Sequence, residues 1–535
     1  MSGWSGEVAP LAGPGPAVAA VETHTAVLLL TGTTVFKVKK PVRFAFLDFT
    51  TREQRLAACQ REVELNRRLA PDVYLGVADI AGPDGQPWDH AVVMRRMPAE
   101  RSLARLVAGT GAGAPLGPDR PGAPAPPDGS VEFGAGLDVV VQVREVARVV
   151  AAFHARAERG PAIDAAASPE AIRGLWTENL AEMALLAGSV FEPDRLARVE
   201  ALALAFVDGR HPLLDERVAG GAACDGHGDL QAADIFCLDD GPRILDTIEF
   251  ADRYRWGDVA GDIAFLAMDL ERLGAPELAH DLVDAYQDSA GAELPPTLVD
   301  HYIAYRALVR AKVAALRAAQ ETDPGLAASD RSQAVSLLER SIGHLERAEV
   351  HLVVVGGLPG TGKSTLAAGL AAQLDAELVR SDVVRKERAG LDPGHPAAAA
   401  LDSGLYSPAR TDDTYQALLA RAQHHLARGR SVVLDASWTD VRHRLEARRL
   451  AQETASGLTE LSCQLDPATA EARLVARQAA GSDASDAGPA VARALAGRAD
   501  PWPEAVSLDT RPDPATVVAE ALAALGDGAV SRSDR

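Results

Sequence analysis

The sequence predicts two folded parts, an α+β part over residues 21–345 and an α/β part with a parallel sheet over 346–530. Three observations predict it. Val350–Thr365 reads VHLVVVGGLPGTGKST, a β-branched run that breaks into a glycine loop and passes into the helical pattern TLAAGLAAQL. Two further runs, Leu378–Asp382 and Ser431–Asp435, each end in an aspartate, as strands of a doubly wound sheet do at their ligand-facing edge. By contrast, Gly226–Asp262 holds two short strands around the turn Asp239-Asp240-Gly241-Pro242, which is an antiparallel hairpin.

The other elements follow in chain order. Residues 1–20 are rich in Gly, Pro and Ala and are expected as a disordered tail. TVFKVKKP (34–41) reads as a strand, and alternation puts Lys37 and Lys39 on one face. REVELNRRLA (61–70) is helical, with Val63, Leu65 and Leu69 marking its apolar side and Glu62 near its start. Ala91–Pro98 is a further strand, and 109–136 is a Gly/Pro/Ala-rich flexible insertion. His154 lies in a helical pattern and is expected to be structural. A long Ala/Leu/Arg helical region runs through Leu337 and Leu345 up to the strand before the glycine loop.

That loop carries the most specific chemistry. Gly357-Leu358-Pro359-Gly360-Thr361-Gly362-Lys363-Ser364, followed by Thr365, fills each slot of the phosphate-binding pattern. Glycines let the backbone curl until its N–H groups converge on a polyphosphate, and the following helix adds the positive end of its dipole. Lys363 is then placed for the β- and γ-phosphates of ATP and Ser364 for Mg2+. At the other strand ends, Asp435 suits water-mediated magnesium binding and Asp382 suits orienting or activating an acceptor hydroxyl. Arg473 and Arg477, four apart on one helix face, suit a lid that clamps phosphates.

Composition narrows the classes. A chain of 535 residues with 47% hydrophobic and 24% charged content is a soluble globular protein of more than one domain. A net charge of −21 argues against a broad nucleic-acid surface, which needs a basic footprint. Four scattered cysteines without a C-x-x-C pair suit a reducing cytoplasm and offer no zinc site. No run approaches the roughly 18 apolar residues that span a bilayer, and the N-terminus lacks the basic start of a signal peptide. Of 54 Lys+Arg residues only six are lysines, namely Lys37, Lys39, Lys40, Lys312, Lys363 and Lys386. Such a bias enriches the remaining lysines for sites that need a compact ammonium.

The block HGDLQAADIFCLDDGPRILD (227–246) resembles the catalytic segment of the aminoglycoside phosphotransferase family, a branch of the protein-kinase-like fold whose loop reads H-x-D-x-x-x-x-N. The resemblance implies a bilobal kinase-like domain in 21–345, with Asp229 as catalytic base and Asp246 as principal magnesium ligand. It puts Asp234 where the family has Asn, an oxygen ligand that adds negative charge beside the phosphates. It makes Lys37 the phosphate-pairing lysine, with Lys39 as the alternative, and Glu62 the helix glutamate that pairs with it. Ala91–Pro98 becomes the strand leading to the hinge that meets adenine, although the glycine-rich cover of protein kinases is absent.

Residues 346–525 resemble phosphate-loop small-molecule kinases such as gluconate kinases and zeta-toxin sugar kinases. The whole is similar to bacterial bifunctional aminoglycoside phosphotransferase/ATP-binding proteins. That similarity implies transfer of the ATP γ-phosphate to a small-molecule hydroxyl, with Mg2+ at two nucleotide sites. No nucleic-acid or membrane partner is expected. Two other readings stand beside this one. The first half could be a nucleotide-sensing pseudokinase that controls the second, which Asp234 favours. The second half could be a polynucleotide 5′-kinase, which the acidic charge disfavours.

Overall fold

The computed structural model describes residues 19–23, 25–44, 47–82, 86–109, 137–392, 404–480 and 488–526. The expected insertion at 109–136 lies outside the described residues apart from Gly109, and so does the expected tail apart from Ala19 and Ala20. Those two residues are not tail. They begin a strand, because Ala19 and Ala20 pair antiparallel with Leu30 and Leu29. Packing divides the chain into two compact units, Met1–Glu158 with Cys224–Ala292, and Arg159–Ala223 with Glu293–Arg535.

The first unit is α+β. Its five-stranded antiparallel sheet runs in the order Ala19–Glu22, Ala26–Leu30, Thr34–Lys39, Pro87–Arg95, Tyr74–Ala81. Helix Arg52–Asn66 starts at a capping box: Thr51 accepts from the Gln54 N–H at 3.2 Å, and Gln54 accepts from the Thr51 N–H at 2.9 Å. Its Cys59 and Val63 pack with Val35, Val73, Tyr74, Val92 and Met94 of the sheet. A hairpin of Ile235–Leu238 and Gly241–Ile244 follows, in register from Ile235 opposite Ile244. Helix Ala260–Arg272 is buried along its whole run from Ala260 to Leu270, between neighbours that include Pro276–Ala290.

The second unit is α/β. Five parallel strands run in the order Glu377–Arg380, Val432–Asp435, His351–Gly356, Gly457–Gln464, Val506–Asp509. Parallel strands buried on both faces read as unbroken apolar runs, and LVVV does so for a visible reason. Leu352 and Val354 pack with Leu418, Leu426 and Leu450 on one face. Val353 and Val355 pack with Leu366, Leu370 and Val517 on the other.

Helices Pro193–Gly209, His211–Ala219, Pro296–Gln320 and Pro324–Ala348 also belong to this unit. They are tied to the turns that precede two of its strands. The buried Arg210 donates from Nη1 to Thr454 O at 2.5 Å, and Thr297 Oγ1 donates to Gly429 O at 2.9 Å. The expected boundary near 345 therefore falls inside a packed unit. Among the described residues no helix is long and apolar enough to cross a membrane.

Two glycines test this seam. A Cβ on Gly209 would sit 2.2 Å from Thr454 O, whereas one on Gly174 would meet nothing within 4 Å. Gly209→Ala should destabilise the protein by about 1–3 kcal/mol through overpacking, and Gly174→Ala in a helix interior should stabilise it by up to about 1 kcal/mol. Thermal unfolding of the full chain checks both, and a Tm for Gly209→Ala at or above wild type contradicts the packing described.

Candidate functional site

In the first unit the strand Thr34–Lys39 pairs with Pro87–Arg95, and alternation turns Lys37 and Lys39 to the same side. Helix Arg52–Asn66 brings Glu62 to meet them. Lys37 Nζ lies 2.8 Å from Glu62 Oε1 and Lys39 Nζ lies 2.6 Å from Glu62 Oε2, so each carboxylate oxygen has its own ammonium. Lys37 reaches on to Asp246 Oδ1 at 2.7 Å, and Lys39 reaches on to Glu249. Glu62 is 0% exposed. Burial acts to lower the pKa of Lys37, but the carboxylates of Asp246 and Glu62 carry it well above its ordinary value. Burial acts to raise Glu62, and the two lysines outweigh it and hold the carboxyl below its usual range.

The segment around Asp229 is pinned from three directions. The His227 and Gly228 N–H groups donate to Asp262 Oδ2 and Oδ1 at 2.7 and 2.8 Å. His227 lies 3.1 Å from Leu245 O through Nε2, and its Nδ1 faces the Asp229 N–H at 3.3 Å. That pair of contacts requires the neutral ring protonated on Nε2, and burial lowers the His227 pKa in the same sense. Gly228 has φ 87°, and a Cβ there would sit 2.7 Å from Tyr254 O, so the middle position of HGD demands glycine. Asp229 Oδ1 accepts from Gln231 Nε2 at 2.8 Å.

Across the hairpin the Leu245 N–H donates to Asp234 O at 3.0 Å. The next residue is Asp246, which holds the left-handed φ of 68° and donates its N–H to Tyr74 Oη at 3.2 Å. The Thr247 N–H donates to Asn66 Oδ1 at 2.9 Å. The expected set Lys37, Glu62 and Asp246 is thus brought into direct contact, and the loop of Asp229 is laced through His227 to the segment of Asp246. Asp234 is buried beside that segment.

Several contributors escaped the sequence. Lys39, expected only as the alternative to Lys37, forms a second pair with Glu249, and Asn66, four residues after Glu62 on the same helix, holds the segment of Asp246 through the Thr247 N–H. Asp262 was visible only as part of a pattern. It accepts two backbone N–H groups and faces His154 Nε2 at 3.2 Å, and His154 and His227 outweigh burial to hold its carboxyl far below the usual range. The i+4 spacing of Asn66 from Glu62 was the available signal for Asn66.

In the second unit the loop opens as its glycines require. Gly360 and Gly362 both have φ 87°, and a Cβ on Gly360 would lie 2.6 Å from Ala470 O. Thr361 Oγ1 donates to Leu358 O at 2.8 Å, and Thr510 Oγ1 donates to Thr361 O at 2.6 Å, so the loop is braced from within and from outside. Lys363 begins helix Lys363–Gln373 and is only 9% exposed. Among the described residues it makes no ion pair and no hydrogen bond. Beside it lies a cavity of about 310 Å³ lined by Ser364, Thr365, Arg473, Thr510, Pro512 and Val517 among others. Arg473 Nη2 donates to Thr510 O at 3.1 Å. Arg477 falls in helix Pro467–Ala480, and its side chain lies outside the described residues.

At the carboxyl edge of this sheet Asp435 pairs in register with both Val355 and Arg380. It is buried; Oδ2 accepts from Arg380 Nε at 3.2 Å, while Oδ1 has no hydrogen-bond partner among the described residues. Asp382 is not at a strand end as expected. The strand stops at Arg380, and Asp382 sits half-buried in the first turn of helix Ser381–Arg388, where a carboxylate faces the positive end of the dipole. Among the described residues no three His, Cys, Asp or Glu side chains gather into a metal cage. Magnesium at such sites rests on one or two carboxylates and on phosphate oxygens. Asp435 Oδ1 beside the loop fits that demand, as do Asp234 and Asp246 on their adjoining segments.

Comparison with known proteins adds two kinds of likeness. The sequence pattern of an AAA domain matches residues 352–502. An uncharacterized protein of Mycobacterium tuberculosis is 41% identical over 491 residues, covering 91% of this chain and 91% of its own, and one of Mycobacterium bovis matches with the same figures. Among solved structures, a choline/ethanolamine kinase family protein of Mesorhizobium loti is 13% identical and covers 63% of this chain and 94% of its own, with a TM-score of 0.35. A gluconokinase of Sinorhizobium meliloti is 20% identical and covers 33% and 91%, with a TM-score of 0.24.

The Glu62 cluster makes a stability prediction. Glu62→Gln leaves the buried Lys39 and the half-buried Lys37 ammonium groups around a neutral amide and should cost about 3–5 kcal/mol, the range for breaking a buried pair. Because the Glu62 carboxyl titrates below its usual range, its contribution is present at neutral pH and is lost as pH falls below the ordinary carboxylate range. Denaturant unfolding at neutral and acid pH should show the gap between wild type and Glu62→Gln narrowing toward acid. A gap that widens there contradicts the assignment.

Proposed function

This chain belongs to the family of those mycobacterial proteins, which match it over nearly its whole length, and we propose that it is an ATP-dependent phosphotransferase with two nucleotide sites and a small-molecule hydroxyl as acceptor. The observation that carries this reading is Lys363, a buried lysine with no partner among the described residues, at the mouth of a glycine loop whose following helix points its positive end at the same place. An unpaired buried ammonium is costly in isolation and is accounted for by a polyphosphate.

In the second unit the loop N–H groups and Lys363 hold the β- and γ-phosphates, and Arg473 closes on them from helix Pro467–Ala480, with Arg477 as its companion. The cavity bordered by Pro512 and Val517 takes the base. Ser364 and Asp435 would hold magnesium there. Asp382 orients the acceptor hydroxyl and takes its proton as the oxygen–phosphorus bond forms and the bond to the β-phosphate oxygen breaks, releasing ADP.

In the first unit Lys37 turns from Asp246 to the phosphates, and Glu62 keeps it aimed. Asp234 and Asp246 hold magnesium, and Asp229 accepts the proton of the acceptor hydroxyl. Bound magnesium supplies neutralisation of the transferring group's charge at both sites. A cytoplasmic place of action fits a chain that consumes ATP. A second reading, in which the first unit only senses nucleotide and governs the second, is favoured by Asp234, whose extra charge faces the phosphates where the family pattern has a neutral Asn.

Two experiments test this. Titration of the full chain with Mg–ATP should give two binding events, and Lys363→Ala should remove one of them. An unchanged stoichiometry and affinity refutes the loop as a nucleotide site. In the Lys363→Ala background, transfer to components of a metabolite extract, read by mass spectrometry, should fall by about 10²–10⁴-fold on adding Asp229→Asn, the range for one acid–base group. Absence of any transfer before that second change removes the enzyme reading of the first unit and leaves the sensor reading.

A further inference from the structure

We propose that Lys39 is a positioning residue of the first nucleotide site, holding Glu62 and its helix in place so that Lys37 is released to the phosphates. The inference rests on the reading of this unit as a nucleotide site. It is carried by the order of charges across the site. Asp246, Lys37, Glu62, Lys39 and Glu249 form one chain of alternating sign, with separations of 2.7 Å, 2.8 Å and 2.6 Å over its first three links. Both ends of the chain, Asp246 and Glu249, belong to one short segment after the hairpin, and the middle is the buried carboxylate of Glu62.

Consider what happens when a triphosphate enters. Lys37 has two carboxylate partners and is the more exposed of the two lysines, 14% against 2% for Lys39, so it is the one placed to turn to the phosphates. If Lys37 were the sole cation on Glu62, every shift toward phosphate would expose a fully buried carboxylate to loss of its only counter-charge, which is expensive. Glu62 would then compete with the ligand for Lys37. Lys39 removes that competition. It is buried, sits on its own oxygen of Glu62, faces the Phe49 ring at 5.2 Å, and is anchored at its far side by Glu249. Glu62 therefore keeps a full counter-charge whichever way Lys37 points. The same two contacts hold the segment of Asp246 against the sheet through Glu249, so the metal-side loop and the glutamate helix share one clamp that does not include the phosphate-binding lysine.

The test uses the full chain carrying Lys363→Ala, so that only the first site binds, with Mg–ATP and adenosine as probes. Adenosine reports the base and ribose contacts alone, and Mg–ATP adds the phosphates. Lys39→Met should weaken Mg–ATP binding about tenfold, the scale of one charge-assisted contact, while adenosine affinity stays within about twofold. Lys39→Gln, which keeps a donor for Glu62 without the charge, is expected to behave likewise and serves where the methionine does not fold. Unchanged Mg–ATP affinity in these variants overturns the proposal. Equal losses for Mg–ATP and adenosine also overturn it, because a residue that merely supports the fold lowers both. Should the Lys363→Ala protein bind neither probe, the nucleotide-site reading itself falls and this inference falls with it.

Discussion

A carboxylate with no access to water organises the first unit. Glu62 sits on a helix whose start is set by a capping box, and it receives an ammonium on each oxygen from one strand. Burying an ion costs several kcal/mol unless it is paired and its remaining sites are used. The cost is met here only because the strand alternates correctly, the helix has the right length, and the segment after the hairpin returns to the same place. A slip of one residue in the strand would turn both lysines to the opposite face. The position of Glu62 therefore couples sheet register, helix placement and the geometry around Asp246 into a single condition.

Asp262 does for the backbone what Glu62 does for the side chains. Two consecutive N–H groups, from His227 and Gly228, point at its two oxygens, and a Cβ on Gly226 would come within 2.5 Å of the same carboxylate. The loop that carries Asp229 is consequently held by main-chain contacts that no side-chain change at 227 or 228 can supply. In the second unit the analogous condition is steric. Gly357 has no room for a Cβ, which would lie 2.6 Å from Thr361 Oγ1, so the loop closes on itself before any ligand arrives. Preorganised donors of this kind act without reorganisation at the moment of transfer.

Legibility in the sequence followed distance along the chain. The phosphate loop is local, its eight positions are contiguous, and the strand and helix flanking it announce themselves by composition. HGD and the hairpin are also local, so Asp229, Asp234 and Asp246 could be named. Glu62 rested on one residue in a helical pattern, and only the fold distinguishes it from a surface glutamate. The Lys39–Glu249 pair joins residues 210 apart, and the Asp262 contacts to residues 227 and 228 span more than thirty positions, so no local pattern reveals them. Asp382 was misplaced by two residues because strand Glu377–Arg380 passes into a helix without a loop between them. The grouping of helices from 159–223 and 293–348 with the parallel sheet depends on Arg210, Thr297 and the crowded Gly209, none of which carries a pattern of its own.

The scarcity of lysine acquires a physical meaning at these sites. Arginine presents a planar fork that spans both oxygens of one carboxylate, or several carbonyls at once. The chain uses it that way. Arg444 donates to the carbonyls of Trp438, Asp500 and Pro501, and Arg255 joins Asp225, Asp252 and the Ile248 carbonyl. At Glu62 a fork would occupy both oxygens and exclude the second cation, whereas two ammonium groups divide the carboxylate between them. At the phosphate loop a point charge can follow the phosphates that a rigid fork would have to meet in one orientation. Lys40 and Lys312 show that the separation is incomplete, since each pairs with an exposed glutamate where arginine would serve as well. What distinguishes Lys37 and Lys39 from these two is the carboxylate they divide between them, and what distinguishes Lys363 is its burial at the start of the helix that follows the glycine loop.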